Sequence, residues 1–219
     1  MKLSTQAADG FLSRPDPGAP GVLIYGEDAM RVALKRQDLI RALLGAEGDT
    51  DMRLTRMEAD TLKRDPAAAS DAARATGFFA VDGARAVLVE GATDAHLKGI
   101  EGALADWAPG DAMLVVTAGA LKKSSKLRKL FEGHDRARCI AVYDNPPGRA
   151  EIEATMSRVG LDRVSAEARA DIDALARLLD PGDFRQTLEK FALFKLNDPE
   201  PLTSAEISAL APVTVEAET

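Results

Sequence analysis

Val22-Leu23-Ile24-Tyr25-Gly26-Glu27-Asp28 is the stretch whose reading decides the fold. Four consecutive apolar, β-prone residues predict a short strand that Gly26 brings to an end. An amphipathic stretch follows at once, from Ala29 to Leu44, with Val32, Leu39, Ile40, Leu43 and Leu44 near helical spacing and Gly45 as its stop. A wholly apolar strand feeding a helix is the unit from which parallel sheets are built.

The same alternation continues outward. Met52 to Met57 alternates apolar and polar residues, as a half-buried strand does, and Asp65-Pro66 opens an Ala-rich helix reaching about Thr76. Ala86 to Val89 reads as a buried strand and Asp94 to Trp107 as a helix. After the turn Pro109-Gly110-Asp111 comes the strongest strand of the chain, Met113 to Thr117. A basic helix from Ser124 to Phe131 and a last strand from Arg138 to Tyr143 complete an open α/β domain over residues 1–143. Asp144-Asn145-Pro146-Pro147-Gly148 breaks the pattern and reads as a linker. Beyond it only helical signals remain: Glu151–Val159, Ser165–Leu179, Asp183–Lys195, and a capping box at Thr203-Ser204-Ala205-Glu206. Residues 144–212 are therefore expected to form a small all-α domain, with a loose tail over 213–219.

Composition narrows the function. With 46% hydrophobic and 29% charged residues, 219 residues can build a core without metal or disulfide staples. The single cysteine, Cys139, lies in an apolar run and reads as a small buried residue, which fits a reducing cytoplasm. No signal core and no run of membrane-spanning length is present, so no membrane contact is expected. A formal net charge of −7 argues against a free-standing DNA binder, which would carry a basic surface.

The usual catalytic patterns are missing. A phosphate loop would follow the first strand and end in Lys and Ser or Thr, whereas this chain has Gly26-Glu27-Asp28-Ala29-Met30-Arg31. Two carboxylates at a helix start suit the helix dipole but repel phosphate, so neither nucleotide nor another cofactor is expected. His96 and His134 lie far apart without partners at metal spacing, and no Gly-x-Ser-x-Gly elbow occurs. No catalytic residue and no intrinsic catalysis are therefore expected.

Two features suit binding instead. Lys122, Lys123, Lys126, Arg128 and Lys129 concentrate positive charge in one short run, a candidate contact for DNA or a partner, or else a solvated helix start. Phe78 and Phe79 follow Gly77 at the end of a helix-like run and precede the Asp82-Gly83 turn. Two adjacent aromatics at a chain bend do not easily enter one core together, so the pair is a candidate apolar wedge for another protein.

Taken in order, these segments resemble the delta subunit family of the bacterial replicative clamp loader, part of the DNA polymerase III holoenzyme. The resemblance is carried by Leu23-Ile24-Tyr25-Gly26-Glu27-Asp28, Gly77-Phe78-Phe79 before the strand from Arg85 to Val89, and Leu114-Val115-Val116-Thr117. Leu121 to Leu127 stands where the family has a similar basic run, and Asp180 to Phe184 with Leu188 to Phe191 resembles its second domain. The resemblance implies an ATPase-like (AAA+/RecA-like) sheet that has lost its phosphate loop. It implies a subunit that grips the beta sliding clamp and opens the ring for loading onto primed DNA during DNA replication, while ATP acts on neighbouring motor subunits. Carried over by position, the clamp-binding residues are Gly77, Phe78 and Phe79; the family more often has Leu at the first aromatic site. Further partners implied are the gamma/tau and delta prime subunits, with primer-template DNA reached through the complex. The family continues into a helical collar domain, for which this sequence has no counterpart. Two other readings stand beside it: a degenerate nucleotide-binding enzyme, and a nucleic-acid module working through Lys122 to Lys129.

Overall fold

The computed structural model describes residues 1–45, 52–75, 83–143 and 147–212. The chain forms two compact units, Met1–Asp144 and Asn145–Thr219.

In the first unit five parallel strands, β1 (Gly21–Gly26), β2 (Leu54–Glu58), β3 (Ala86–Glu90), β4 (Met113–Ala118) and β5 (Arg138–Val142), lie in the order β2-β3-β4-β1-β5. The chain first crosses from β1 to the far edge at β2, steps back through β3 and β4, and then places β5 on the other side of β1. Helices cover both faces, which is why β1 and β4 are buried at every position. On one face α1 (Thr5–Ser13) and α2 (Ala29–Leu44) pack Leu12, Val32 and Leu39 against Val22, Ile24, Leu88 and Val115. On the other, α3 (Thr61–Arg64), α4 (Ala68–Arg74), α5 (Leu97–Asp106) and α6 (Lys126–Gly133) pack Leu62, Ile100, Leu127 and Phe131 against Leu23, Val87 and Leu114. Leu3 donates its amide to Cys139 O at 3.0 Å, laying the first residues beside β5.

The structure departs from the sequence reading in a few places. Helix α1 was not expected; its signals are Ser4, whose hydroxyl accepts from Ala7 N, and the buried pair Ala8 and Leu12 one turn apart. The stretch from Asp94 divides into a 3-10 turn, Asp94–His96, and α5. The basic helix starts at Lys126 with Ser125 as its cap, so Lys122 and Lys123 belong to the preceding turn.

The second unit contains, among the described residues, α7 (Arg149–Val159), α8 (Ala166–Leu178), α9 (Pro181–Phe194) and α10 (Ser204–Leu210). Its core joins Ile152, Met156, Ile172, Phe184, Leu188, Phe191 and Ile207. The capping box read from Thr203 and Glu206 is formed on both sides: Thr203 N donates to Glu206 Oε2 at 2.8 Å while Thr203 Oγ1 accepts from Glu206 N. The expected tail over 213–219 lies outside the described residues.

Candidate functional site

Parallel α/β sheets bind ligands outside the carboxyl ends of their strands, so the end of β1 is the first place to look. There Asp28 caps α2: its Oδ1 accepts from Arg31 N at 2.9 Å and its Oδ2 from Arg31 Nε at 3.1 Å. The helix end that would cradle a phosphate is thus filled by the chain's own carboxylate. The nearby cations of α2 are also engaged. Lys35 pairs with Asp9 at 3.1 Å, and Arg36 pairs with Glu90 at the end of β3. Gly26 has its own reason to be glycine: a Cβ there would come 2.5 Å from Val142 O on the neighbouring strand. Its smallness serves strand packing.

Sequence reasoning missed a second carboxylate of the same kind. Asp94, in the turn after β3, reaches the start of α6, where its Oδ1 accepts from Ser125 Oγ at 2.6 Å and Leu127 N at 2.9 Å. Its Oδ2 accepts from Lys126 N at 3.1 Å. The Ser125 hydroxyl, followed by the Leu127 amide, holds the Asp94 carboxyl below its ordinary range. Around this cap Lys122, Lys123, Lys126 and Lys129 are exposed, and none forms an ion pair among the described residues. Arg128 stands apart from them. Its guanidinium donates to Glu132 at 2.8 Å and lies 5.4 Å from the centre of the Tyr25 ring, so it braces α6 against β1.

Gly77, Phe78 and Phe79 lie outside the described residues. The residues flanking them are tied together by hydrogen bonds. Arg85 donates to Ala75 O and, at 2.9 Å, to Gly110 O, while Ala112 N donates to Ala73 O at 2.9 Å. The guanidinium therefore ties the end of α4 to the start of β3 and β4, at the amino edge of the sheet.

Both histidines serve the backbone. His96 is buried; its Nδ1 accepts from Thr93 N at 3.0 Å and its Nε2 faces Asp60 Oδ1 at 3.0 Å. His134 Nδ1 accepts from Arg136 N at 3.1 Å and Ala137 N at 3.0 Å, closing the turn after α6. No group of three or more His, Cys, Asp or Glu side chains is arranged to hold a metal among the described residues. No helix there is long and apolar enough to cross a membrane.

In the helical unit, Phe194 is half exposed, although the sequence groups it with the apolar face of α9. With Leu193 and Leu196 it stands 50–71% exposed at the end of that helix. Lys195 beneath them is 8% exposed and joins Asp198 to Glu206, the latter at 3.2 Å.

No protein-family model matches the sequence, and no curated protein matches it either. Solved structures do match. The Bacillus subtilis DNA clamp loader delta protein superposes with a TM-score of 0.59 at 16% identity, over 93% of this chain and 61% of that one. Domain III of the Thermotoga maritima replication initiation protein DnaA gives a TM-score of 0.43 at 13% identity, over 94% of this chain and 88% of that one. Brucella abortus NtrX gives 0.42 at 12% identity, over 94% of this chain and 52% of that one. The chain thus spans 61% of the length of the clamp loader protein it resembles. What the likeness to the clamp loader delta protein shows is the fold.

Proposed function

We propose that this chain is a clamp-loader subunit of the delta type, which binds and opens a ring-shaped sliding clamp for DNA replication without hydrolysing ATP itself. The observation that carries this reading is a delta-like fold whose nucleotide-facing helix end is occupied by Asp28. Ring opening needs no bond chemistry. A subunit that binds the opened ring better than the closed one shifts that equilibrium by its differential affinity. Phe78 and Phe79, with Gly77 before them, are the wedge in this reading, and the ties of Arg85 at the flanks of that segment support a fixed base for it. The gamma/tau and delta prime subunits are the neighbours it would assemble with in the cytoplasm. Primer-template DNA would be reached through the assembled complex, and the four free lysines of the α6 start would face DNA or a neighbour.

The test is surface plasmon resonance of the chain over its immobilised cognate clamp. Phe78→Ala with Phe79→Ala is expected to weaken binding at least about thirtyfold, since anchoring aromatics contribute roughly 2 kcal/mol or more each. The melting curve of the variant should match that of the parent. Unchanged binding overturns the wedge, and a collapsed melting curve assigns the pair to a core. Calorimetry with ATP and magnesium is expected to register no binding; micromolar affinity would overturn the nucleotide-free reading.

A further inference from the structure

Two arginines stand at the amino edge of the sheet, each directly before a strand: Arg53 before β2 and Arg85 before β3. Their backbones belong to the ladder. Arg53 O accepts from Ala86 N at 2.9 Å, and Arg85 O accepts from Met113 N at 2.8 Å. Their side chains reach sideways, to the two ends of the chain that joins α4 to β3. At the entry, Arg85 donates to the carbonyl of Ala75, which closes α4, and at 2.9 Å to Gly110 O in the turn before β4. Ala112 N also donates to Ala73 O at 2.9 Å, so the end of α4 draws its donors from the start of β3 and β4. At the exit, Arg53 donates at 2.6 Å to Leu44 O, the last residue of α2, and at 3.4 Å to Ala84 O. Gly83, with a φ of 137°, brings the chain onto this guanidinium: a Cβ there would come 3.1 Å from Arg53 Nη1. One guanidinium thus holds each flank of the segment in which the sequence places Gly77, Phe78 and Phe79, and both are rooted in the same sheet.

We infer that Arg85 and Arg53 are positioning residues for the aromatic pair, a role that rests on the clamp-binding reading above. In it neither arginine touches the clamp. Each acts by fixing a backbone carbonyl at one flank of the contact segment, so that less of the segment has to be ordered when the partner binds. The residue type suits the task. A guanidinium offers several donors in a rigid plane and can bridge two carbonyls of different elements, whereas a lysine ammonium is a point donor on a flexible stem. Loss of either arginine therefore leaves both aromatic rings in the chain and weakens binding through their placement.

The test is a double-mutant cycle on the affinity of the full chain for its immobilised cognate clamp, with a melting curve for every variant. Arg85→Gln is expected to weaken binding by about tenfold, the scale of one lost ordering step, with the parental melting midpoint nearly kept. Arg85→Lys, which retains a single donor, should recover part of the loss. In the Phe78→Ala, Phe79→Ala background Arg85→Gln should change the residual affinity no further, because there is no anchor left to position. A residue that only supports the fold would show no such coupling. Arg53 is partly buried, so Arg53→Lys, which keeps the stem beneath Gly83, stands in for Arg53→Gln if the latter lowers the midpoint; it is expected to weaken binding in the same coupled way. Unchanged affinity for Arg85→Gln overturns the inference, and so does an equal loss in both backgrounds. The two readings fail distinguishably. If Phe78→Ala with Phe79→Ala leaves binding untouched, the wedge itself falls; if that pair weakens binding while the arginine variants do not, only the positioning role falls.

Discussion

Asp28 accepts both the backbone amide of Arg31, at 2.9 Å, and the Nε of the same residue, at 3.1 Å. One side chain thereby caps α2 and neutralises its first cation, at the position where a nucleotide-binding sheet would present bare amides. Asp28→Ala is expected to destabilise the α/β unit by about 1 kcal/mol, the usual cost of losing a helix cap. It should not confer ATP binding, because no lysine and hydroxyl pair stands behind the vacated amides. Urea denaturation gives the first number, and calorimetry with ATP and magnesium checks the second.

Gly26 sits one residue from the same corner, and its role is steric. A Cβ would meet Val142 O at 2.5 Å and Val142 Cβ at 2.9 Å, both belonging to a paired strand that cannot easily retreat. Gly26→Ala is expected to cost about 1–3 kcal/mol, the range for overpacking a tight site. Val142→Ala removes the Cβ branches but leaves the carbonyl, so combining the two should rescue little. Additive losses in urea denaturation bear this out, whereas near-complete rescue by the second substitution would point to a side-chain clash alone.

The sheet was legible because its two central strands are almost wholly apolar: Val22 to Tyr25 and Met113 to Thr117 announce burial on both faces without any knowledge of their neighbours. Strand order was not legible. It depends on which helix crosses which face, and β2 reaches the far edge only because α2 spans β1, β4 and β3. Asp28 as a helix cap could be read from its position after a strand and before an amphipathic run. Asp94 could not. It caps a helix thirty-one residues away from its own position to Ser125, through contacts that exist only once β3 and β4 lie side by side. Likewise the 3.6-residue period correctly gave α9 an apolar stripe, but the stripe runs past the helical unit's core. Phe191 is fully buried and Phe194, one turn on, is half exposed, because α9 outlasts the helices packed against it.

Asp94 has a measurable acid signature. Its carboxyl is held below the ordinary value by the Ser125 hydroxyl and then the Leu127 amide, so the ionised form is favoured in the folded chain. A depressed carboxylate contributes stability that is present above the unfolded value of about 4 and is lost as pH falls through the folded value. Asp94→Asn keeps an acceptor for Ser125 but cannot ionise. The stability gap between parent and variant should therefore be widest at neutral pH and narrow on acidification below about pH 4. Chemical denaturation of both proteins across that range checks the sign; a gap that widens with acid contradicts the assigned cap.

Cys139 offers a reporter for the opening of the sheet. It is fully buried on β5, flanked by the Leu3 amide on its carbonyl, and burial pushes its thiol up to about 11. Only the thiolate attacks a disulfide reagent, so a rise from 9.0 to about 11 cuts the reactive fraction at neutral pH about a hundredfold, before steric exclusion is counted. The native chain is expected to react with an aromatic disulfide far more slowly than a free thiol does. Reaction should accelerate with urea in step with loss of the α/β unit. Leu3→Pro, which removes the amide that bonds Cys139 O at the edge of β5, should speed labelling below the unfolding transition while leaving the global midpoint nearly in place. If labelling of the parent is already as fast as that of a free thiol in buffer, the strand does not hold Cys139 as described.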